Sequence, residues 1–180
     1  MNQFSYGILA IITACVIWGF VPIYYKLLAH VPPFELLAHR TIWSFLFFFL
    51  ILIYNGKLSE LWRSVFVSKE DRGFIIISAV LIAINWFFFI FAIQTNNATE
   101  ASLGYFIMPL VTVVWGLIIF KEKLSHVQLI AVSLAAVAIL ILTVGLTSAP
   151  WIALTLAVSF SFYAVLKKGI KDKEKRKSLK

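Results

Sequence analysis

The chain has 180 residues, of which 62% are hydrophobic and 13% charged, and its formal net charge is +8. A soluble domain of this size cannot hide so much apolar side chain from water, because surface is a large share of its volume. The composition therefore excludes an ordinary soluble domain and predicts an integral membrane protein. The apolar runs lack the alternation of a membrane barrel, which favours an all-α, polytopic membrane helix bundle.

Six apolar segments are long enough to cross a bilayer core of about 30 Å, which takes roughly 20 helical residues. In chain order they predict helices at 6–25, 34–54, 74–93, 101–120, 127–146 and 149–166. Most connecting loops are short, so consecutive helices are expected to be antiparallel neighbours. The longer loop 55–72 predicts a short amphipathic helix on the membrane surface, with an ordinary solvated loop as the alternative. Its helically spaced apolar residues are Leu58, Leu61, Trp62, Val65 and Phe66.

Basic residues are distributed unevenly over this topology. With six spans, the N-terminus, loop 55–72, loop 121–126 and everything after residue 166 share one side, which carries fourteen of the sixteen Lys and Arg residues. The positive-inside rule then predicts that both termini lie in the cytoplasm. A basic tail on that side is attracted to anionic lipid, so the net charge predicts membrane lipid as a partner and no nucleic acid.

Residues that carry most catalytic and metal chemistry do not cluster in this sequence. Cys15 is the one cysteine, and His30, His39 and His126 show no metal-ligand spacing. No phosphate loop, GxSxG or HExxH motif occurs. The sequence therefore predicts no catalytic residues, no metal, no cofactor and no enzyme activity.

Polar residues inside the predicted spans are the best candidates for function, because an ionisable group at mid-membrane costs about 2.5–3.5 kcal/mol on insertion scales. Glu35, His39 and Arg40 lie near the start of the second helix. They indicate either the polar mouth of a solute path or a helix-start acid with an interfacial arginine. Asn85 lies near the centre of the third helix, where its amide either binds solute or hydrogen-bonds a neighbouring helix.

Two predicted helices contain glycine and proline, which weaken a helix and can expose carbonyl groups in the membrane. Such helices resemble the interrupted segments that line transporter sites, although glycine and proline are also common in ordinary membrane helices. The residues predicted to act in gating or to break a helix are Gly19, Pro22, Gly104 and Pro109. The candidate solute-binding side chains are Trp18, Arg40, Asn85, Glu100 and Tyr105.

Two further patterns concern packing and internal symmetry. Small residues spaced four apart predict close packing, within the chain or at a dimer seam, on the fifth helix (Ala131, Ala135) and on the sixth (Ala153, Ala157, Ser161). A weak internal repeat aligns Trp18 and Lys26 with Phe160 and Lys168, as if the sixth helix restarted the pattern of the first. A five-helix repeat inverts its second copy across the membrane, as in inverted-repeat secondary transporters.

Four segments carry a resemblance to a known family. They are Ile17-Trp18-Gly19, the run from Glu35 to Ser44, the run from Glu100 to Leu110, and the turn from Phe120 to Ser125. Together, over essentially all of 1–170, they resemble the RarD-type branch of the EamA-like drug/metabolite transporter superfamily, whose members are known as chloramphenicol-sensitive proteins. One departure is Met108, which stands where a polar asparagine is expected before the proline.

The resemblance implies a ten-helix carrier of two inverted repeats that moves small drugs or metabolites across the cytoplasmic membrane of a bacterium. Relative to that pattern, 1–146 is one five-helix repeat, 147–170 is the first helix of an incomplete second repeat, and 171–180 is a basic cytoplasmic tail. We therefore expect a truncated transporter that is inactive alone, with a small-molecule solute and a complementary C-terminal fragment as partners. The alternative is a non-transporting membrane remnant or an interaction subunit.

Overall fold

The computed structural model describes residues 3–61, 69–144 and 150–178. Within these residues it contains six long helices, all apolar enough over at least 18 residues to cross a membrane. This confirms the predicted all-α membrane helix bundle. The helices are α1 (Gln3–Leu27), α2 (Pro33–Tyr54), α3 (Lys69–Gln94), α4 (Ala98–Ile119), α5 (His126–Val144) and α6 (Trp151–Ser178).

The predicted and observed bounds differ most at the end of α6. Its membrane-length part ends at Gly169, but the helix continues to Ser178, because the Lys- and Glu-rich stretch that follows consists mostly of good helix formers without proline. In the long loop, residues 58–61 are helical. The remaining apolar positions of the predicted amphipathic helix, Trp62, Val65 and Phe66, lie outside the described residues, so that helix stays a prediction.

The most extensive packing is that of α6 against both α3 and α4. Gly104 of α4 lies against the backbone of α6, where an added Cβ would be 2.9 Å from the carbonyl oxygen of Ala153. Ala153, Ala157 and Ser161 are fully buried, which confirms a packing face within the chain. By contrast, Ala131 and the neighbouring small residues of α5 are largely exposed, so the described chain does not cover that stripe.

Helices α1 and α2 lie at the periphery, and each contacts α3. Consecutive helices are neighbours for α2–α3, α3–α4 and α4–α5, as predicted. The prediction is not met for α1–α2 and α5–α6, which are not packed along their length, and a cleft of about 790 Å³ lies between α1 and α2. No residue of α2 is buried within the described chain, and most apolar side chains of α1 are exposed, as expected of surfaces that face lipid or another protein segment.

Polar contacts bring two loops together at one end of the bundle. The side-chain amide of Gln94, the last residue of α3, donates to the carbonyl oxygens of Leu28 at 2.9 Å and Val31 at 3.0 Å. The ammonium group of Lys26 donates to Oδ1 of Asn96. The α1–α2 loop and the α3–α4 loop therefore lie at the same end, as the alternating topology requires.

The opposite end is formed by the α4–α5 turn and the final part of α6. The ammonium group of Lys168 lies 2.7 Å from Oε1 of Glu122. Helix α5 begins with a reciprocal cap, in which the Ser125 N–H donates to Oε1 of Gln128 at 2.9 Å and the Gln128 N–H donates to Oγ of Ser125 at 3.3 Å. This end carries the basic turn and the basic end of α6, which the charge distribution assigned to one side.

Candidate functional site

A cavity of about 330 Å³ lies where α1, α3, α4 and α6 converge. Three of the five candidate binding side chains, Trp18, Asn85 and Tyr105, line it together. They come from three different helices, so no local sequence pattern placed them side by side. The complete lining is Trp18, Pro22, Asn85, Trp86, Phe89, Tyr105 and Phe160.

Aromatic rings form most of the cavity wall, and each ring contacts the next in a series that runs from Trp18 to Tyr105. The ring centroids of Trp18 and Trp86 lie 5.3 Å apart, and Trp86 meets Phe89 edge-to-face at 5.7 Å. Phe89 in turn meets Tyr105 at 5.9 Å and an interplanar angle of 71°. Such edge-to-face pairs hold rings in defined positions. Trp86 and Phe89 were not among the residues predicted to form a site; for Phe89, its position one helical turn after Asn85 was the available signal.

Asn85 is almost completely buried, at 1% exposure, and it joins α3 to α6. Its amide nitrogen donates to the carbonyl oxygen of Leu156 at 3.0 Å and to the hydroxyl of Ser159 at 3.1 Å. Ser159 itself donates to the carbonyl oxygen of Thr155 at 2.6 Å. Of the two roles considered for Asn85, the hydrogen bond to a neighbouring helix is therefore present, and contact with a solute stays a prediction.

Arg40 lies between the aromatic cavity and the α1–α2 cleft. It lines the cleft, and its guanidinium carbon lies 3.2 Å from the centroid of the Trp86 ring, a wall residue of the cavity. Glu35 and His39 also line the cleft, with Oε1 and Nε2 3.9 Å apart, as their four-residue spacing predicts. The cation–π contact is therefore a direct physical link between the two spaces.

Glu100 is not brought into either space. It is buried, at 4% exposure, in the first turn of α4, where the helix dipole favours a negative charge. It lines neither the aromatic cavity nor the cleft. Its predicted contact with a solute stays a prediction.

The helices that carry glycine and proline are continuous. Helix α1 runs through Gly19 and Pro22, and α4 runs through Gly104 and Pro109. Proline has no N–H, so the carbonyl groups four residues earlier, those of Trp18 and Tyr105, lack their usual intrahelical donor. Both carbonyls belong to wall residues of the cavity. Gly104 serves close packing in this structure, and a gating role for the four residues stays a prediction.

The side chains that usually ligate metals do not come together in the part of the chain that the structure describes. There, no group of three or more His, Cys, Asp or Glu side chains could hold a metal ion. The arrangement offers instead an apolar, aromatic space, one cation stacked on an indole, and a few hydrogen-bonding groups. Such a space is suited to reversible binding of a small amphipathic molecule.

The fold and this cavity define a polytopic membrane protein with a small-molecule-sized internal space. A model of the EamA-like transporter family matches residues 5–144. The chain therefore belongs to the EamA-like transporter family, which confirms the resemblance found in its motifs.

Several curated relatives match most of this chain. The uncharacterized transporter YojE of Bacillus subtilis is 40% identical over 164 residues, covering 90% of this chain and 55% of YojE. Protein RarD of Escherichia coli is 40% identical over 169 residues, covering 94% of this chain and 57% of RarD. The chloramphenicol-sensitive protein RarD of Pseudomonas aeruginosa is 30% identical over 166 residues, covering 90% and 55%. The chain thus spans little more than half the length of these relatives, and no solved structure gives a significant match.

Proposed function

We propose that this chain supplies one wall of a secondary transporter for small drugs or metabolites in the cytoplasmic membrane of a bacterium. The observation that carries the proposal is the convergence of α1, α3, α4 and α6 on one aromatic cavity. In inverted-repeat carriers, the solute site lies near the bilayer midplane between the repeats. The names of YojE as a transporter and of a RarD as a chloramphenicol-sensitive protein support the same class.

The proposed domain organisation is a five-helix repeat at 1–146, the first helix of a second repeat at 147–170 and a basic cytoplasmic tail at 171–180. Trp18 of α1 and Phe160 of α6, which the internal repeat aligns, line the same cavity, and this supports the symmetry. Helix α6 packs on the third and fourth helices of the first repeat. By the same symmetry, α1 would pack on the third and fourth helices of the second repeat, which would cover its exposed apolar face.

A second wall is therefore required for transport. Two copies of this chain in the same orientation would not rebuild an inverted site, and the basic-residue distribution disfavours a copy in the opposite orientation. We propose that the 180-residue chain alone does not transport and that the remaining helices of a relative restore the site. The alternative function is an interaction subunit or a non-transporting remnant.

The test is uptake into liposomes that contain the purified chain, alone or together with the C-terminal part of Bacillus subtilis YojE that this chain does not cover. Radiolabelled chloramphenicol and a panel of metabolites are the probes. Saturable uptake is expected only when both polypeptides are present. Saturable uptake by the chain alone would contradict the need for a second wall. Absence of uptake with both polypeptides would contradict the transporter proposal and favour the alternative.

The proposed orientation, with both termini in the cytoplasm, has its own test. A reporter that is active only outside the cytoplasm should be silent when fused after Lys180 and active when fused after Asn97, which belongs to the end shared by the α1–α2 and α3–α4 loops. The physical reason is the strong excess of basic residues on the opposite side. Activity at Lys180 would refute the six-span orientation.

A further inference from the structure

We propose that the α1–α2 cleft binds a solute with a carboxylate group, which docks on the guanidinium of Arg40, and with an apolar or aromatic body. The inference rests on the proposed function, because it names the chemical class of that transporter's solute. It is carried by the position of Arg40, by the partners that Arg40 has and lacks, and by the side chains around it.

The guanidinium of Arg40 is stacked by one face on Trp86, and the hydroxyl of Tyr25 lies within hydrogen-bonding reach of it. Its central carbon lies 3.2 Å from the centre of the Trp86 ring. At that distance the two planes must be roughly parallel, because an edge-on guanidinium would push its nitrogens into the ring. Stacking of this kind uses the face of the guanidinium, so the N–H donors at its edge that Tyr25 does not engage can bind an acceptor. Trp86 is itself fixed by Trp18 and Phe89, so the cation is preorganised.

One edge of this cation lacks a partner. The Nη1 atom of Arg40 is buried and has no hydrogen-bond partner within the described chain. The one carboxylate that lines the cleft, Glu35, has its Oε1 3.9 Å from Nε2 of His39, and no ion pair of Arg40 occurs among the described residues. A buried charged donor without an acceptor is costly. A bound anion removes that cost, and a planar carboxylate matches the donor fork of arginine.

The surroundings of Arg40 select for an apolar body attached to that anion. The cleft of about 790 Å³ falls within the usual size range of small-molecule sites. Its lining is mainly aliphatic and aromatic and includes Ile17, Phe20, Tyr24, Tyr25, Leu36 and Trp43. A hydrated inorganic anion would gain little from such walls, whereas a ring or an alkyl chain would bury apolar surface against them. Arg40 lies about two turns inside α2, so the anion would be held below the membrane surface.

The experiment compares phenylacetate with phenylacetamide, which has the same size and body but no charge at pH 7. Binding to the purified 180-residue chain in lipid nanodiscs is measured by saturation-transfer NMR and by equilibrium binding of the radiolabelled probes. Phenylacetate is expected to bind at least about tenfold more tightly than phenylacetamide, as a charge-assisted bidentate contact allows. Equal affinities, or no binding of either probe, would overturn the proposal on the unmodified chain alone.

Variants then assign the preference to Arg40. Arg40→Gln should abolish the preference for the carboxylate while phenylacetamide binding is retained, which also reports that the variant is folded. Arg40→Lys should retain only part of the preference, because lysine keeps the charge but loses the planar fork. The matched control is Lys26→Gln, which removes one positive charge at the same end from a side chain that does not line the cleft. If Lys26→Gln and Arg40→Gln lose the carboxylate preference equally, the positive potential of this end of the bundle selects the anion, and the proposed contact with Arg40 is contradicted.

This test separates the proposal from the proposed function. If the carboxylate preference depends on Arg40 but the liposomes with both polypeptides show no uptake, the binding site is supported and the transporter proposal is contradicted. If neutral solutes are taken up and no carboxylate preference is found, the transporter proposal is supported and the carboxylate site is contradicted.

Discussion

The contact of α6 with α3 and α4 differs from the space between α1 and α2 in what lies between the helices. In the first region, Gly104 brings two backbones together at Ala153, and Asn85 donates hydrogen bonds across the interface. In the second, aliphatic and aromatic side chains surround a cleft of about 790 Å³. Lipid provides little hydrophobic drive for helix association, so close backbone contact and interhelical hydrogen bonds decide which helices pack tightly.

The two regions therefore have different roles in the structure. The α3–α4–α6 contact acts as a rigid scaffold, because it contains most of the buried side chains of the described residues. The α1–α2 region is joined to that scaffold mainly through α3, by the Arg40–Trp86 stack and by the hydrogen bonds of Gln94. Substitutions should therefore destabilise the protein most in the first region and change binding and local geometry in the second.

The largest effect is expected for Gly104→Ala. The added Cβ would lie 2.9 Å from a backbone oxygen and 3.0 Å from the Cβ of Leu156, so the helices must move apart. We expect a loss of about 1–3 kcal/mol, typical of overpacking, in reversible unfolding from detergent mixtures. The matched control is Gly7→Ala, where nothing lies within 4 Å of the added atom. Similar destabilisation by both substitutions would contradict the tight contact.

The next effect concerns the hydrogen bond between Asn85 and Ser159. A double-mutant cycle of Asn85→Ala and Ser159→Ala should give a coupling free energy of about 0.6 kcal/mol and at most about 1.7 kcal/mol, as found for hydrogen bonds between membrane helices. The measurement is the free energy of unfolding of the four proteins. Thr112→Ala, which removes a hydroxyl bonded within its own helix to Met108, is the control and should show no coupling to Asn85. A coupling free energy of zero would contradict the hydrogen bond between the two helices.

A comparable effect on stability, together with a larger one on geometry, is expected for Gln94→Leu. This change removes the donor shared by the carbonyl oxygens of Leu28 and Val31, each bond contributing about 0.5–1.5 kcal/mol at most. The α1–α2 loop should then move away from α3, which broadens spin-label distances between Ala29→Cys and Thr99→Cys. Ser102→Ala, whose hydroxyl bonds its own helix at Ala98, is the control. Unchanged distances would show that the loop is held by other contacts.

The smallest effect is expected at the other end of the bundle, for Glu122→Gln. Its side chain pairs with Lys168 at 2.7 Å, but the two side chains are 53% and 51% exposed. Exposed ion pairs contribute roughly 0.2–1 kcal/mol and are screened by salt. The difference in unfolding free energy from the unmodified chain should therefore shrink as salt is raised. A large loss that salt does not change would indicate that the pair is structurally essential.

Sequence patterns predicted much of the candidate site but not which of its residues line the same space. Trp18, Asn85 and Tyr105 were identified because they are polar or aromatic residues within apolar spans, and they do line one cavity. The same reasoning grouped Glu100 with them, although it is buried elsewhere in the first turn of α4. It also passed over Trp86, because one more aromatic residue in an apolar helix carries no signal until the guanidinium of Arg40 is seen above its ring.

By itself, the sequence determined the membrane class, the six spans and the grouping of the basic loops. These follow from length, apolar content and charge along single segments, which depend only on local sequence. Only the tertiary structure decided that α6 lies against α3 and α4 while a cleft separates α1 from α2. Most membrane helices are apolar on every side, so hydropathy does not say which faces meet. Close contacts such as Gly104 with Ala153, and hydrogen bonds such as that of Asn85 with Leu156, join residues about fifty to seventy positions apart. Such contacts depend on the shapes of two surfaces together, and no single stretch of sequence contains them.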